Sequence, residues 1–348
     1  MLKSGKERKN MKSFQEKWDE TSSQWTKWLK EEDVEMNNES IEALWLEACK
    51  KGDIESLDKM KNQKQWKRWF GKDDGLGFLV ACKNGQLKVV NYLLEDPALN
   101  YRNKNYVQAG WHAACEKGQM EVVRELLENP SWKEKTWSVN LHDQEEYAFQ
   151  EACCKGQLEV VRYLLTSPEL IKAGHTFADL HEESEWGLRL AVEKGRVDIV
   201  KYLTTSPEVL EAGHTWAKVT IASNACLKMA LRDKNKEMLN FLLRDPELKK
   251  TGVKWDWNAN HAELFRSMVR ERQWEILKEC IFEHGLRCND SMNAFLERLN
   301  DEKENVLEWF RVQQEKESLT QVVGNEQSSN NGDEIKSGST AKKRQKRL

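Results

Sequence analysis

The sequence predicts an all-α protein, a solenoid of helix-turn-helix units joined by long connectors. Three observations predict it: an internal repeat, apolar residues at helical spacing within each copy, and a proline at a fixed place in each copy. Five copies are clear, and they begin at Phe78, Trp111, Phe149, Leu188 and Leu227. The five prolines of the chain all lie at the last position of these copies, at Pro97, Pro130, Pro168, Pro207 and Pro246. Such self-similarity is typical of repeat architectures.

The physics of one unit follows from the copy that begins at Phe78. Phe78, Ala81 and Cys82 share one helix face, and the small residues allow a second helix to approach closely. Gly85 predicts the end of this helix, because glycine adopts a left-handed conformation at little cost. The apolar stripe in LKVVNYLL predicts the second helix, and Pro97 is expected to stop it. Neither helix is long enough to be stable alone, so we expect the units to stack.

The second-helix string QLEVVRYLL, which begins at Gln157 and follows an Ala-Cys-Cys-Lys-Gly segment, resembles the ankyrin repeat. The copies recur every 33 to 39 residues. The resemblance predicts an ankyrin-like array over residues 41–311, with about seven to eight units. It implies that the connectors project as fingers toward a concave face and that the partners are proteins. The longer connectors also repeat, because residues 171–177 match residues 210–216.

The two ends differ in composition from the array. Residues 1–40 contain aromatic residues at helical spacing among many lysines, and we expect an N-terminal capping helix with a basic arm. A docking helix and an unstructured arm remain alternatives. Residues 312–348 are expected to form a disordered tail. Its basic end is a candidate nuclear-import signal or a general polyanion-binding tail, formed by Lys342, Lys343, Arg344, Lys346 and Arg347.

Charge is distributed unevenly along the chain. Residues 1–30 carry eight basic and four acidic residues, and the last seven residues carry five basic residues and no acid. Subtracting these contributions from the whole-chain charge of -3 leaves -12 for residues 31–341. We therefore expect partners with basic patches and consider nucleic acid unlikely for the folded body. No apolar run approaches the length of a membrane span, and the N-terminus lacks the apolar core of a secretory signal.

Few residue clusters indicate catalysis or metal binding. The sequence contains no P-loop, no G-x-G-x-x-G and no G-x-S-x-G, so we predict neither an enzyme nor a cofactor. Cys280, His284 and Cys288 have a spacing that is compatible with zinc, but a fourth ligand is missing from the pattern, and we predict no metal site. His175 and His214 recur with the connector, which favours an architectural role. Small buried core residues are expected at the repeated cysteines Cys49, Cys82, Cys115 and Cys153.

The connector aromatics are the leading candidates for binding a protein. They are Trp132, Trp137, Phe177, Trp216, Trp255 and Trp257. Aromatic residues concentrate at binding hot spots, but aromatics that recur with the repeat also stiffen a connector. We therefore favour packing for the four repeated positions. Partner contact is favoured for Trp132 and Trp257, which do not repeat.

The leading functional hypothesis is a monomeric, intracellular protein-interaction scaffold, cytoplasmic or nuclear, that binds through its concave face and connectors. The alternative is a nucleic-acid- or chromatin-associated protein that is tethered by its basic termini. The resemblance extends to long, degenerate arrays of intracellular parasites and large viruses that act on host proteins. Fold alone does not decide among these roles.

Overall fold

The computed structural model describes residues 38–61, 75–95, 104–133, 135, 137–298 and 304–320. Throughout these residues the secondary structure is helical and no β-strand is present. The all-α fold class predicted from the sequence is therefore confirmed. Residues 1–37 of the cap predicted over residues 1–40, the proline at Pro97 and the basic end of the tail lie outside the described residues, and those predictions stand as made.

The chain divides into two compact units, residues 1–217 and 218–348. The first unit contains five helix pairs and three short helices among its described residues. Its helices are α1 (Asn38–Lys51), α2 (Ile54–Lys61), α3 (Leu76–Lys83), α4 (Leu87–Glu95), α5 (Lys104–Lys117), α6 (Met120–Glu128), α7 (Pro130–Lys133), α8 (Tyr147–Lys155), α9 (Leu158–Thr166), α10 (Pro168–Lys172), α11 (Glu182–Glu193), α12 (Val197–Thr205) and α13 (Pro207–Glu211).

Helices of the same kind stack side by side in the first unit. The first helices of successive pairs, α1, α3, α5, α8 and α11, each contact the next, and so do the second helices α2, α4, α6, α9 and α12. Each pair buries an apolar face that it could not bury alone, and stability therefore comes from contacts between neighbouring repeats. The repeated cysteines at Cys49, Cys82, Cys115 and Cys153 are fully buried, which confirms their predicted role as small core residues.

A ladder of side-chain hydrogen bonds joins the turns within successive pairs. Gly118 has a φ of +73° and connects α5 to α6. The residue that opens the next second helix reaches back over this turn, because Gln157 Nε2 donates to the Glu116 carbonyl at 3.1 Å. Gln119 and Arg196 make equivalent bonds to Lys83 and Cys154. The positive φ of Gly118 favours glycine, and a side chain at this position would also displace the Gln157 amide that makes this bond.

The second unit repeats the helix pairs within residues 218–348. Its helices are α14 (Ile221–Arg232), α15 (Lys236–Arg244), α16 (Pro246–Lys250), α17 (Ala259–Arg270), α18 (Trp274–Phe282), α19 (Asp290–Leu296) and α20 (residues 304–320). α14 packs on α17, and α17 packs on α19. The boundary that the sequence predicts between the array and its tail, at residue 311, lies inside α20.

The prolines do more than stop the second helices. Pro168, Pro207 and Pro246 each occupy the first turn of a separate five-residue helix, where the missing N–H costs no hydrogen bond. Each proline thus ends one helix and begins a short one. We call residues 168–181 the first finger, residues 207–217 the second finger and residues 246–258 the third finger.

Candidate protein-binding surface

A histidine in each of the first two fingers clamps the finger to the preceding repeat. His175 Nε2 donates to the Leu127 carbonyl at 3.0 Å, and His214 Nε2 donates to the Leu165 carbonyl at 2.9 Å. Both carbonyls lie in the last turn of a second helix, where intrahelical donors are lacking. The architectural role that the sequence predicts for these histidines is thereby confirmed, and their target is the second helix of the repeat before.

Buried polar side chains attach the first helices to the following connectors. Gln108 is buried and exchanges two hydrogen bonds with the backbone of Asn140, at 2.8 and 2.9 Å. In the second unit Asn224 makes the same pair of bonds with the backbone of Asp256. A primary amide can both donate to and accept from one peptide group, so it fixes the position of the connector.

Two acidic residues occupy the corresponding buried position: Glu146, directly before α8, and Glu185, in α11. At these two positions the acidic side chain bonds to a histidine, and the histidine in turn contacts the next finger. His181 Nδ1 lies 2.8 Å from Glu185 Oε1, and His181 Nε2 lies 2.8 Å from the Thr215 hydroxyl in the second finger. His142 bridges Glu146 and Thr176 in the same way. The fingers are thus held at fixed positions by polar networks that recur in neighbouring repeats.

Trp132 and Trp257, the two tryptophans expected to contact a partner, are buried within the chain. Trp132 is 7% exposed, lies 5.5 Å from the Trp137 ring and donates through Nε1 to Glu125 Oε1 at 3.2 Å. Trp257 is 8% exposed and donates through Nε1 to the His284 carbonyl at 2.9 Å. This corrects the expectation, because an indole that is already buried and hydrogen-bonded offers no free surface.

The other connector aromatics differ in exposure. Trp137 is buried beside Trp132, whereas Phe177, Trp216 and Trp255 are half-buried. The Phe177 ring packs 5.7 Å from the ring of His214, and Trp216 Nε1 donates to the Ser206 carbonyl at 2.9 Å. These contacts support packing, but part of each half-buried ring remains available to a partner.

The first helices of the first unit present a row of exposed apolar and aromatic side chains. We define the aromatic row as Leu76, Tyr147 and Trp186, which lie two residues before the core residue of α3, α8 and α11. Leu76 is 37% exposed, Tyr147 is 40% exposed and Trp186 is half-buried. In the intervening helix α5 the same position is occupied by Ala109, whose exposed methyl group projects less than the side chains of the row.

Neighbouring polar groups fix the orientation of two members of the aromatic row. The Arg189 guanidinium lies 4.7 Å from the centre of the Trp186 ring, within the range of a cation–π interaction. The His112 ring packs 5.0 Å from that of Tyr147. Burial lowers the pKa of His112, and the nearby Asp143 carboxylate only partly opposes this shift. His112 therefore contributes a neutral ring to the surface at neutral pH.

An acidic cluster lies at the start of α8 and α11, directly before Tyr147 and Trp186. It consists of Glu145, Glu182 and Glu183. A hydrogen bond with the Glu145 carboxyl and the charges of Glu145 and Glu182 raise the pKa of Glu183. Residues 144–146 and 183–185 all have positive φ, which is rare for residues other than glycine. Such conformations are often associated with functional positions.

Two classes of site are absent from the part of the chain that the structure describes. None of its helices is both long and apolar enough to cross a membrane. Likewise, the described residues contain no group of three or more His, Cys, Asp or Glu arranged to hold a metal ion. Of the zinc-compatible trio, Cys280 is buried, His284 Nε2 lies 3.6 Å from Glu279 Oε1, and Cys288 Sγ lies 3.0 Å from Asn293 Oδ1.

The stacked helix pairs, the left-handed glycine turns and the recurring fingers define a helical-repeat protein. Comparison with family models identifies the repeat: residues 78–176 match a model that describes three copies of the ankyrin repeat. Residues 78–176 are therefore ankyrin repeats, and the fold of the described residues is a helical-repeat solenoid. A search among proteins of curated function found no match. Ankyrin-repeat domains generally mediate protein–protein interactions and are typically not catalytic.

Tyr147 and Trp186 were missed by the sequence analysis. The signal was present, since both lie two residues before the core residue of their repeats, at Phe149 and Leu188. Two aromatics at one repeat position that is not a core position indicate a surface row.

Proposed function

We propose that this chain is a protein-interaction scaffold whose main binding surface is the aromatic row together with the acidic cluster beside it. The observation that carries this proposal is that Leu76 and Tyr147 are exposed and Trp186 is half-buried on first helices that pack side by side. Large aromatic side chains that are partly exposed and already oriented by neighbours bind partners at low entropic cost.

The charge of the surface indicates the kind of partner. Glu145, Glu182 and Glu183 concentrate negative charge at the edge of the aromatic row, and the long middle region of the chain has a net charge of -12. A partner with a basic patch next to apolar side chains is complementary to this surface. Complementary charge mainly accelerates association and orients the partner, whereas the aromatic contacts supply most of the affinity.

Affinity capture with the full chain tests the proposal. The double variant Tyr147→Ala, Trp186→Ala should lose capture of the main partner by tenfold or more, as expected on removal of hot-spot aromatics. A matched control, Ile171→Ala with Leu210→Ala, removes two exposed apolar side chains from the short helices. Circular dichroism must show that both variants are folded. Equal capture by the two variants would contradict the proposed surface and would favour the half-buried finger aromatics.

The charge component has its own test. Glu145→Gln with Glu183→Gln should slow association with the captured partner, and the slowing should disappear at high ionic strength because exposed charges are screened. Unchanged association rates at low salt would contradict a partner with a basic patch.

The identity of the captured proteins shows whether the scaffold acts on proteins of its own cell or on those of a host.

The basic C-terminal run supports a second role, as a nuclear-import signal. We propose that Lys343, Arg344 and Lys346 are its central residues, because five basic residues fall within the last seven of the chain. The full chain fused to a fluorescent protein should lose nuclear accumulation after Lys343→Ala with Arg344→Ala. If localisation is unchanged but binding to DNA is lost, the run acts as a tether to nucleic acid.

A further inference from the structure

Two glycines allow neighbouring first helices of the first unit to approach closely. Gly110 of α5 and Gly187 of α11 stand directly before the core residue of their repeats. A side chain at Gly110 would overlap the buried Phe78 ring of α3, and one at Gly187 would come too close to the Phe149 ring of α8. The pairs α3–α5 and α8–α11 therefore pack toward the short end of the usual spacing of about 8–10 Å between helix axes.

The aromatic row crosses these helices, so its spacing is that of the helix packing. Tyr147 and Trp186 occupy the same repeat position on adjacent helices, and the row therefore offers one ring about every 8–10 Å. A polyproline II segment has three residues per turn and rises about 3.1 Å per residue, so its surface repeats about every 9 Å. Each turn of such a segment would meet one repeat of the array.

The aromatic row is only one side chain wide. One helical turn after it, the first helices α5, α8 and α11 each carry a polar residue, namely His112, Gln150 and Arg189. The acidic cluster borders the other side. A helical partner needs a stripe of apolar anchors at i, i+3, i+4 and i+7, and part of that stripe would lie over these polar groups. A polyproline II segment presents one apolar ring per turn, so the row alone is wide enough for it.

The acidic cluster specifies a positive charge in the bound segment. The carboxyl groups of Glu145 and Glu183 are close enough to share a hydrogen bond, and Glu182 adds a third acidic group beside them. All three lie near the start of α8 and α11, next to the two rings of the row. A guanidinium or ammonium group of a partner would relieve their mutual repulsion, because such groups form charge-assisted hydrogen bonds with carboxylates.

We infer that the aromatic row binds a proline-rich segment of a partner protein in the polyproline II conformation, with an arginine or lysine that faces the acidic cluster. The inference rests on the proposed function and specifies the chemistry of the partner for the same surface. One proline-containing turn packs on Tyr147, and the next turn packs on Trp186. Such a segment loses little conformational freedom on binding, because its prolines already restrict the backbone.

A designed peptide tests the conformation of the bound segment. A fluorescent, end-blocked peptide of four Pro-Pro-Arg triplets, one triplet for each turn, is titrated with the full-length protein and followed by anisotropy. We expect saturable binding. The same peptide with alanine in place of every proline keeps its charge and can form a helix, and it should bind at least about tenfold more weakly. Absence of saturable binding, or equal or tighter binding of the alanine peptide, would overturn the inference.

Variants of the protein place the peptide on the aromatic row. Tyr147→Ala with Trp186→Ala should weaken peptide binding at least about tenfold, because both rings are lost. Ile171→Ala with Leu210→Ala, which removes exposed apolar side chains from the short helices, should leave binding unchanged. Equal weakening by the two pairs would show that the peptide binds away from the row and would refute this site.

The acidic cluster has a matched control of its own. Glu182→Gln with Glu183→Gln should weaken peptide binding severalfold at low salt, because the arginines lose their partners. Glu121→Gln with Glu159→Gln makes the same change in net charge at exposed positions in the first turns of α6 and α9. Equal weakening by both pairs would mean that only the overall charge matters and would contradict the contact with the cluster.

A gain of binding tests the spacing. Ala109 is exposed and occupies the repeat position of Tyr147 on the neighbouring helix α5. Ala109→Tyr therefore adds a ring to the row at the same spacing, and the four-triplet peptide should bind severalfold more tightly. Circular dichroism must show that the variant is folded. Unchanged or weaker binding to the folded variant would contradict the match between the row and the polyproline II turn.

Other outcomes separate this inference from the proposed function. A dimer that sedimentation detects and that Tyr147→Ala with Trp186→Ala abolishes would show a second copy of the chain on the row and would overturn the inference. If the row still captures a protein partner while the proline peptide fails to bind, this inference fails and the proposed function survives. If the unchanged chain neither captures a partner through the row nor binds the peptide, both fail.

Discussion

The first two fingers and the last connector solve the same structural problem in different ways. Each finger inserts a proline-initiated helix and then clamps it with a histidine to the repeat before. The last connector, residues 283–289, has no such helix; Leu286 stands where the fingers have their histidine, and a cavity lies beside α15. The comparison teaches that each short helix packs on the second helix of the repeat before its own, as α10 packs on α6 and α13 packs on α9. The shorter connector still leaves the apolar residues of α15 buried, because Leu242 and Leu243 are each 2% exposed and Leu286 is fully buried.

The largest effect should come from removing the buried anchor of a finger. Leu170→Ala deletes a fully buried side chain from α10 and should lower the free energy of unfolding by about 2–4 kcal/mol. Ile171→Ala, at the exposed neighbouring position, should change it by less than about 0.5 kcal/mol. Urea unfolding followed by circular dichroism measures both. Similar small losses for the two variants would show that the short helix does not act as a cover.

A smaller effect is expected from exchanging the residue types of the two regions. His214→Leu copies the last connector and removes the bond to the Leu165 carbonyl, so it should cost about 1–2 kcal/mol. The reciprocal change, Leu286→His, brings a polar ring into a fully buried position and should also destabilise the chain. Thermal unfolding of both variants tests the pair. A neutral His214→Leu would mean that the clamp adds nothing to packing.

The last connector should also respond to acid. Burial lowers the pKa of His284 below its usual value near 6.5, and this exceeds the opposing influence of the Glu279 carboxylate. The unfolded chain therefore binds the proton first, and the stabilisation present above pH 6.5 is lost as the pH falls through the lowered pKa. Unfolding at pH 7.5 and 5.5 should show a smaller difference for His284→Gln than for the unchanged chain. An identical difference would exclude His284 as the source.

The smallest effect concerns the ion pair between a finger and the helix beneath it. Arg162 and Glu208 are both substantially exposed, so Glu208→Gln should cost less than about 1 kcal/mol. The loss should shrink further at 1 M salt, because exposed charges are screened. Comparing urea midpoints at low and high salt measures it. A loss that is large and independent of salt would indicate a packing role for the side chain instead.

The sequence was most informative where the structure depends on residues that are close together along the chain. Gly85 and the prolines at Pro168 and Pro207 act locally, and the helix pairs were predicted from them and from the apolar stripes. Trp257 was misjudged because its hydrogen-bond acceptor, the His284 carbonyl, lies 27 residues away. The short helices were missed because five residues are too few to show a helical period.

The same limit applies to the candidate surface. Exposure of Tyr147 depends on how α8 packs between α5 and α11, and the sequence does not encode that arrangement at the residue itself. Trp132 illustrates the opposite case: it does not repeat, yet it packs against Trp137 within its own connector. Recurrence within the chain was therefore a reliable guide to architecture and a poor guide to exposure.

The buried cysteines can serve as probes of local unfolding in successive repeats. Cys82, Cys115 and Cys153 lie one repeat apart, and burial raises the pKa of each thiol. Because all three thiols are fully buried, a reagent reaches them only when the surrounding helices separate. Separation also allows the reactive thiolate to form. Alkylation rates at successive cysteines, read by mass spectrometry, would then rank the opening free energies of successive repeats. A binding partner should slow alkylation most at the repeats that it covers, so the same thiols would reveal its footprint.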